Sequence, residues 1–393
     1  MKRALHGALR ATLAATGRAE ALIIGAGAPR PARRIDPAPR RIVVWTMDRI
    51  GDVQRASGLF RMVKAHWPAC EIVAVVAGRS MPILRENPHI TAIHCVPSPY
   101  DLRTHAGVLR RLRADHFDLG ILAEVDPFWA KLGHWSMRAL GVPQWVGFDL
   151  GHALPRQCRA VPLDHARSWT DQFVAMAESL GVPDDGQGLD LHLSPDERRA
   201  ARDTLAQHGI ADGQDFVLVH PGGNFLTVSR QWPAERFGAM LDLVGERWNL
   251  PFVLTGLPAE RPTIDTVKAA TRMPVVDLCG RLGLRELAAV IARSAVCVSN
   301  DTGPLHIAHA LRKPAVVVLG PTAPAVVGLP ATTLPVFADL PCRPCAFLQG
   351  WQACTNPSRW ACLSRIEPEA VAMAVSTQLG RVLPGVEGMR RNG

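Results

Sequence analysis

The amino-acid sequence predicts an α/β protein of two doubly wound, parallel-sheet domains, and three observations carry that expectation. Short apolar, β-branched runs alternate with segments of helical periodicity, the pattern of a parallel sheet with helices on its faces. The alternation runs in two series, parted at residues 183–188 by a stretch poor in apolar residues and rich in Gly and Asp. The chain has 393 residues, 48% hydrophobic and 20% charged, enough to bury two cores.

Taken in order, IVVW at residues 42–45 reads as the first buried strand, and a helix follows Gly51 and Asp52 at once. Further strands are expected at 71–77, 90–96 and 119–123, with a helix over 101–116. Ser194 with Pro195 behind it opens a helix that Gly209 closes, because a hydroxyl caps orphan N–H groups, proline suits the first helical position and glycine the end. The second series places strands at 216–220, 251–255, 296–299 and 315–319. Residues 314–338 carry no charge and are long enough to span a membrane, but Pro321, Pro324, Pro330 and Pro335 interrupt any helix. They read as a buried strand followed by a loop. The expected organisation is a basic extension at 1–40, a first Rossmann-like domain at 41–193, a second at 194–375 and a tail at 376–393, with a cleft between the domains.

The net charge of +9 first suggests nucleic acid. Residues 1–41, however, hold nine Lys and Arg against two acids, +7 of that total, which leaves +2 on the other 352 residues. A basic arm on a nearly neutral body excludes a nucleic-acid groove through the fold. Leu5, Leu9 and Leu13 share one helical face with Lys2, Arg3, Arg10 and Arg18 around them, which suits an anionic membrane surface; a solvated extension fits the same residues. No signal peptide is evident, and nine cysteines without one indicate a reducing, cytoplasmic compartment.

Four segments sit where strands end, the place where ligands bind in sheets of this kind. DTGPLH, Asp301 to His306, joins an apolar strand to a helix in which Leu305, Ala308 and His309 follow helical spacing. Gly303 permits the turn, Pro304 suits the first helical position, and Asp301 or Thr302 can cap the amides behind. A helix start with unpaired N–H groups and a positive dipole end binds anions such as a diphosphate; an ordinary capped turn has the same composition. HPGG, residues His220, Pro221, Gly222 and Gly223, allows close backbone approach, while Thr227 and Arg230 beyond it offer a hydroxyl and a fixed charge to phosphate oxygens. A surface loop reads similarly. Asp52 is placed to accept a proton from a hydroxyl nucleophile, or to cap its helix; Asp48 at the same strand end stays open as a second carboxylate. Glu260, past the strand ending at Gly256, can take the two hydroxyls of a ribose. The run at residues 23–30 mimics a dinucleotide fingerprint but has Arg30 in place of the third glycine and prolines on both sides, so it is a linker.

In this order and spacing, the GD pair, the HPG loop ending in a basic residue plus WP, the following Glu, and DTGxxH before GPT at residues 320–322 resemble the ADP-heptose:lipopolysaccharide heptosyltransferases, glycosyltransferase family 9. The resemblance spans residues 41–375. It implies the GT-B architecture of two facing Rossmann-like domains, acceptor on the first and nucleotide-sugar donor on the second. It implies inverting transfer of a heptose-like sugar to a saccharide or lipid-linked acceptor without an essential metal or other cofactor. Asp52 then matches the catalytic base, Glu260 the ribose ligand, Arg230 a diphosphate-binding lysine, and Asp301 to His306 the diphosphate turn, with Thr227 and the His220 to Gly223 loop beside it. Acceptor contacts are expected at residues 124–135. Arg230 for Lys exchanges an ammonium for a planar fork, and Ser57 stands where the family has proline. A nucleotide-sugar epimerase of similar form and a binding protein that has lost catalysis remain as rival readings.

Cys342, Cys345, Cys354 and Cys362 form a separate constellation. Four thiolates can hold a structural zinc, although the second pair lacks CxxC spacing; packed free thiols or a redox role are the alternatives.

Overall fold

The computed structural model describes residues 38–384, except 99, 165–166, 224–230, 348–349 and 352–353. The expectations for residues 1–37, for Thr227 and for Arg230 lie outside the described residues. The chain divides into two compact units, residues 1–164 with 170–192, and 165–169 with 193–393.

In the first unit the chain runs β1 (Arg41–Thr46), α1 (Ile50–Arg55), α2 (Ser57–His66), β2 (Glu71–Ala77), α3 (Met81–Leu84), β3 (Ala92–Val96), α4 (Leu102–Leu112), β4 (Leu119–Leu122), α5 (Pro127–Ala139), β5 (Trp145–Phe148), β6 (Cys158–Val161) and α6 (Trp169–Ser179). All six strands are parallel, in the order β3-β2-β1-β4-β5-β6. The central strands read as unbroken apolar runs because helices cover both faces: Ile42 to Trp45 and Ile72 to Ala77 are almost wholly buried. Asp101 and Asp126 cap α4 and α5 by accepting the N–H groups of Arg103 and Phe128. Ser57, at the break between α1 and α2, replaces the stiffness of a proline with hydrogen bonds. Its hydroxyl donates to Gln54 O at 2.6 Å and accepts the Asp190 N–H at 2.8 Å.

The second unit holds α7 (Pro195–Gln207), β7 (Val217–His220), α8 (Ala234–Arg247), β8 (Phe252–Leu254), a 3-10 turn (Pro258–Glu260), α9 (Arg261–Ala269), β9 (Val275–Asp277), α10 (Leu284–Arg293), β10 (Val296–Asn300), α11 (Gly303–Ala310), β11 (Ala315–Val318), α12 (Pro324–Val327), β12 (Thr333–Val336), the small hairpin β13 (Ala346–Phe347) and β14 (Gly350–Trp351), α13 (Ala361–Ser364) and α14 (Pro368–Val382). Its sheet order is β12-β11-β10-β7-β8-β9, again parallel. Counted from each unit's own first strand, both sheets follow the same 3-2-1-4-5-6 order, so each has one switch point where the crossovers reverse. These lie between β1 and β4, and between β7 and β10. Trp232, Trp248, Phe237 and Phe252 anchor the second core.

Ser194 caps α7 as expected, in a reciprocal capping box with Glu197. Arg285 of α10 grips the same Glu197 carboxylate with two hydrogen bonds of 2.7 and 2.5 Å, docking α7 on α10. Two expectations need correction. Residues 314–338 are more than a strand and a loop, because β12 pairs with β11 and α12 lies between them. α14 crosses position 375, where a tail was expected, and Val371, Val375 and Leu379 enter the core as one apolar face.

Candidate active site

At the first switch point, β1 delivers Met47 and Asp48, and α1 starts two residues later. Asp52 lies in the first turn of α1, so it is not the cap; that position belongs to Arg49. Its side chain is 18% exposed and its Oδ1 pairs with Arg55 Nη1 at 3.0 Å. Asp48 is a different kind of carboxylate. It is 4% exposed and accepts the N–H groups of Arg49 at 3.1 Å and of Val125 and Asp126 at 3.3 Å. Burial, together with the charges of Asp52 and Asp126, pushes its pKa up to about 7. Glu124, fully buried beyond β4, accepts the Met47 N–H and is pushed well above the carboxylate range by burial and by Asp48. The two buried acids therefore stitch the ends of β1 and β4 to each other's backbone, and Asp52 is the carboxylate of the three that solvent reaches.

Of the region expected to meet an acceptor, Glu124 and Trp129 turn inward and Trp135 stays 48% exposed.

At the second switch point, His220 ends β7 with Nδ1 3.1 Å from Thr255 Oγ1 and Nε2 3.7 Å from Glu260 Oε2; burial lowers its pKa. Glu260 is 3% exposed, and its oxygens accept the N–H groups of Gly223 at 2.8 Å and Leu257 at 2.7 Å. The loops after β7 and β8 are thus tied through one carboxylate. Asn300, a residue the sequence reading did not single out, ends β10 fully buried and bonds to Pro221, Gly222 and Trp232.

The DTGPLH turn forms the predicted strand-to-helix junction, but differs in detail. Thr302 occupies the cap position without a side-chain cap bond; its hydroxyl donates to Asn300 O at 3.3 Å. Asp301, Pro304, Leu305 and His306 are buried, leaving Thr302 and Gly303 as the partly exposed residues of the six. Pro304 has no N–H, and that of Leu305 donates to Thr302 O at 3.1 Å.

Cys342, Cys345, Cys354 and Cys362 line one small cavity with Pro321, Arg343 and Trp360. All four are free thiols; burial pushes Cys362 up to about 11 and raises Cys345, while the N–H groups of Trp360 and Asn356 lower Cys354. Arg343 between them donates to the carbonyls of Gly320, Ala338 and Thr322, fastening this segment to the GPT loop. Among the described residues, His89, Asp190 and His192 alone bring three ligand atoms within 4.8 Å of one another. Arg61 Nη1 already sits 2.5 Å from Asp190 Oδ2, so a cation there would share the carboxylate with a guanidinium.

Two parallel sheets of identical Rossmann order, with carboxylates at one switch point and the DTGPLH strand-to-helix turn at the other, define an α/β fold of the GT-B glycosyltransferase class. The chain belongs to glycosyltransferase family 9, the heptosyltransferases, whose family model matches residues 107–346. Asp52 lies outside the matched stretch. The chain is 24% identical over 283 residues to the lipopolysaccharide core heptosyltransferase OpsX of Haemophilus influenzae, covering 69% of this chain and 76% of that one. Its fold is similar to a family 9 glycosyltransferase structure from Veillonella parvula, with TM-score 0.74, 22% identity and coverage of 89% of this chain and 100% of the other. It is also similar to the Escherichia coli ADP-heptose lipopolysaccharide heptosyltransferase II structure, with TM-score 0.68, 19% identity and coverage of 87% and 99%.

Proposed function

We propose that this protein transfers a heptose from ADP-heptose to a lipopolysaccharide-core acceptor, inverting the anomeric centre and using no metal in the chemical step. The observation that carries the reading is the contrast among three carboxylates. Asp48 and Glu124 are buried and engaged by backbone amides, whereas Asp52 is partly exposed at the start of α1. Asp52 takes the proton of the acceptor hydroxyl as that oxygen attacks the anomeric carbon. On the donor side, the Thr302–Gly303 turn, Arg230 and Thr227 meet the diphosphate as charge grows on it. Glu260, 3% exposed with its oxygens accepting the Gly223 and Leu257 N–H groups, shapes the nucleotide end of the site by holding those two loops together. Trp135 offers an exposed aromatic face to the saccharide. The basic arm of residues 1–41 brings the enzyme to anionic lipid at the inner membrane, where lipid-linked acceptors lie.

The test is product analysis with ADP-heptose, with and without acceptor. ADP should form only with acceptor present, and Asp52→Asn should lose about a hundredfold or more in turnover while donor affinity is kept. Isomerised donor formed without acceptor would establish the epimerase reading instead, and unchanged turnover in Asp52→Asn would remove Asp52 as the base.

A further inference from the structure

Asn300 is the last residue of β10, fully buried, and each polar atom of its side chain has a partner. Its Nδ2 donates to Pro221 O at 2.8 Å and Gly222 O at 3.1 Å, and its Oδ1 accepts the Trp232 N–H at 3.1 Å. This fixes the amide orientation, because a flipped amide would press oxygen against two carbonyls and an NH₂ against an N–H. The location is the switch point itself, since β7 and β10 pair in parallel with His220 opposite Ser299.

Pro221 and Gly222 precede, and Trp232 follows, the stretch that contains Thr227 and Arg230. Asn300 is also joined by its own peptide bond to Asp301, the first residue of the DTGPLH turn. One side chain therefore ties the HPG turn and Trp232 to the start of the DTGPLH turn. Trp232 has a second anchor, its Nε1 donating to Ile366 O at 3.0 Å, so the core keeps its tryptophan without the amide.

We propose that Asn300 is a positioning residue for the donor diphosphate, holding the HPG turn and Trp232 at a set distance from the Asp301–His306 turn. The proposal rests on the donor-site reading above and adds to it the residue that spaces its two halves. Asn300 does not touch the substrate. It acts by denying two buried carbonyls any other arrangement, since leaving them unpaired is costly.

The experiment compares wild type with Asn300→Asp, which keeps the size and the acceptor for Trp232 but turns the two donors into an acceptor facing two carbonyls. Circular dichroism establishes folding, calorimetry measures ADP binding, and steady-state kinetics separate donor KM, acceptor KM and kcat. The expected result is an ADP Kd and donor KM raised about tenfold or more, with acceptor KM unchanged within about twofold. A folded variant that binds ADP as wild type does overturns the proposal, as does an equal rise in both KM values. Asn300→Ser, which retains a small donor, is measured by the same criteria should Asn300→Asp fail to fold. Wild-type protein that binds no ADP overturns the transferase reading and this proposal together; wild-type binding with an unaffected variant overturns this proposal alone.

Discussion

The carboxylate of Glu260 fills the space a side chain would need at Gly222, where an added Cβ would lie 2.2 Å from Oε1. Glycine is required there by this close approach alone. With the Gly223 and Leu257 N–H groups on its oxygens, Glu260 is a buried rivet between two strand-end loops.

Gly222→Ala must therefore push the Glu260 carboxylate or the HPG backbone aside. Thermal melting should show a loss of about 1–3 kcal/mol, the usual effect of overpacking, together with weakened ADP binding. A variant with wild-type melting and affinity would mean the loop yields freely and Glu260 is no rivet.

Asp48 sets a pH dependence. Its folded pKa of about 7 against an ordinary 3.8 means that the folded chain holds more protons than the unfolded one between those values. Stability should fall as pH rises from about 4 to 7 and then level off, and Glu124, raised in the same sense, adds to the fall. Asp185 and Asp277, held below the ordinary range, act instead at lower pH, where their contribution is lost as pH falls. Asp48→Asn should flatten the melting temperature across pH 4 to 7, and an unaltered slope would assign the dependence elsewhere.

Arg285 and Glu197 join α10 to the capping box of α7, with side chains 9% and 20% exposed. Arg285→Ala leaves a mostly buried carboxylate without its partner, and urea unfolding should register a loss of about 2 kcal/mol, below the figure for fully buried pairs. A change under about 0.5 kcal/mol would show that the capping box alone suffices for Glu197.

Among the described residues no three of the sulfurs of Cys342, Cys345, Cys354 and Cys362 come within 4.8 Å of one another, so packed free thiols are expected rather than a structural zinc. Elemental analysis of purified protein should find under about 0.2 zinc per chain, and near one per chain would establish a four-thiolate site instead.

Several features were legible from local pattern. The apolar runs at 42–45, 71–77 and 315–319 marked central strands because strands covered on both faces are apolar throughout. The strands Trp145–Phe148, Cys158–Val161, Val275–Asp277 and Thr333–Val336 escaped because three or four residues show no period, and Pro335 argued against the last. Ser194 announced α7 correctly because a capping box is complete within four residues. Thr302 looked like an equally good cap but turned its hydroxyl to Asn300 O, a choice that composition does not reveal.

By itself, then, the sequence determined the α/β class, the two series of strands and the positions of Asp52, His220, Glu260 and Asp301 at or just past strand ends, since periodicity and turn chemistry are properties of neighbours in the chain. Which acid solvent reaches, and which side chain ties the loops together, only the tertiary structure decided. Met47 and Glu124 are 77 residues apart, and Asn300 and Pro221 are 79, so their hydrogen bonds exist only once parallel strands bring distant residues to one sheet edge. Burial then does the rest: at Asp48, 4% exposed, desolvation penalises the charge and pushes the carboxyl up to about 7, whereas Asp52 keeps 18% of its side chain open to solvent.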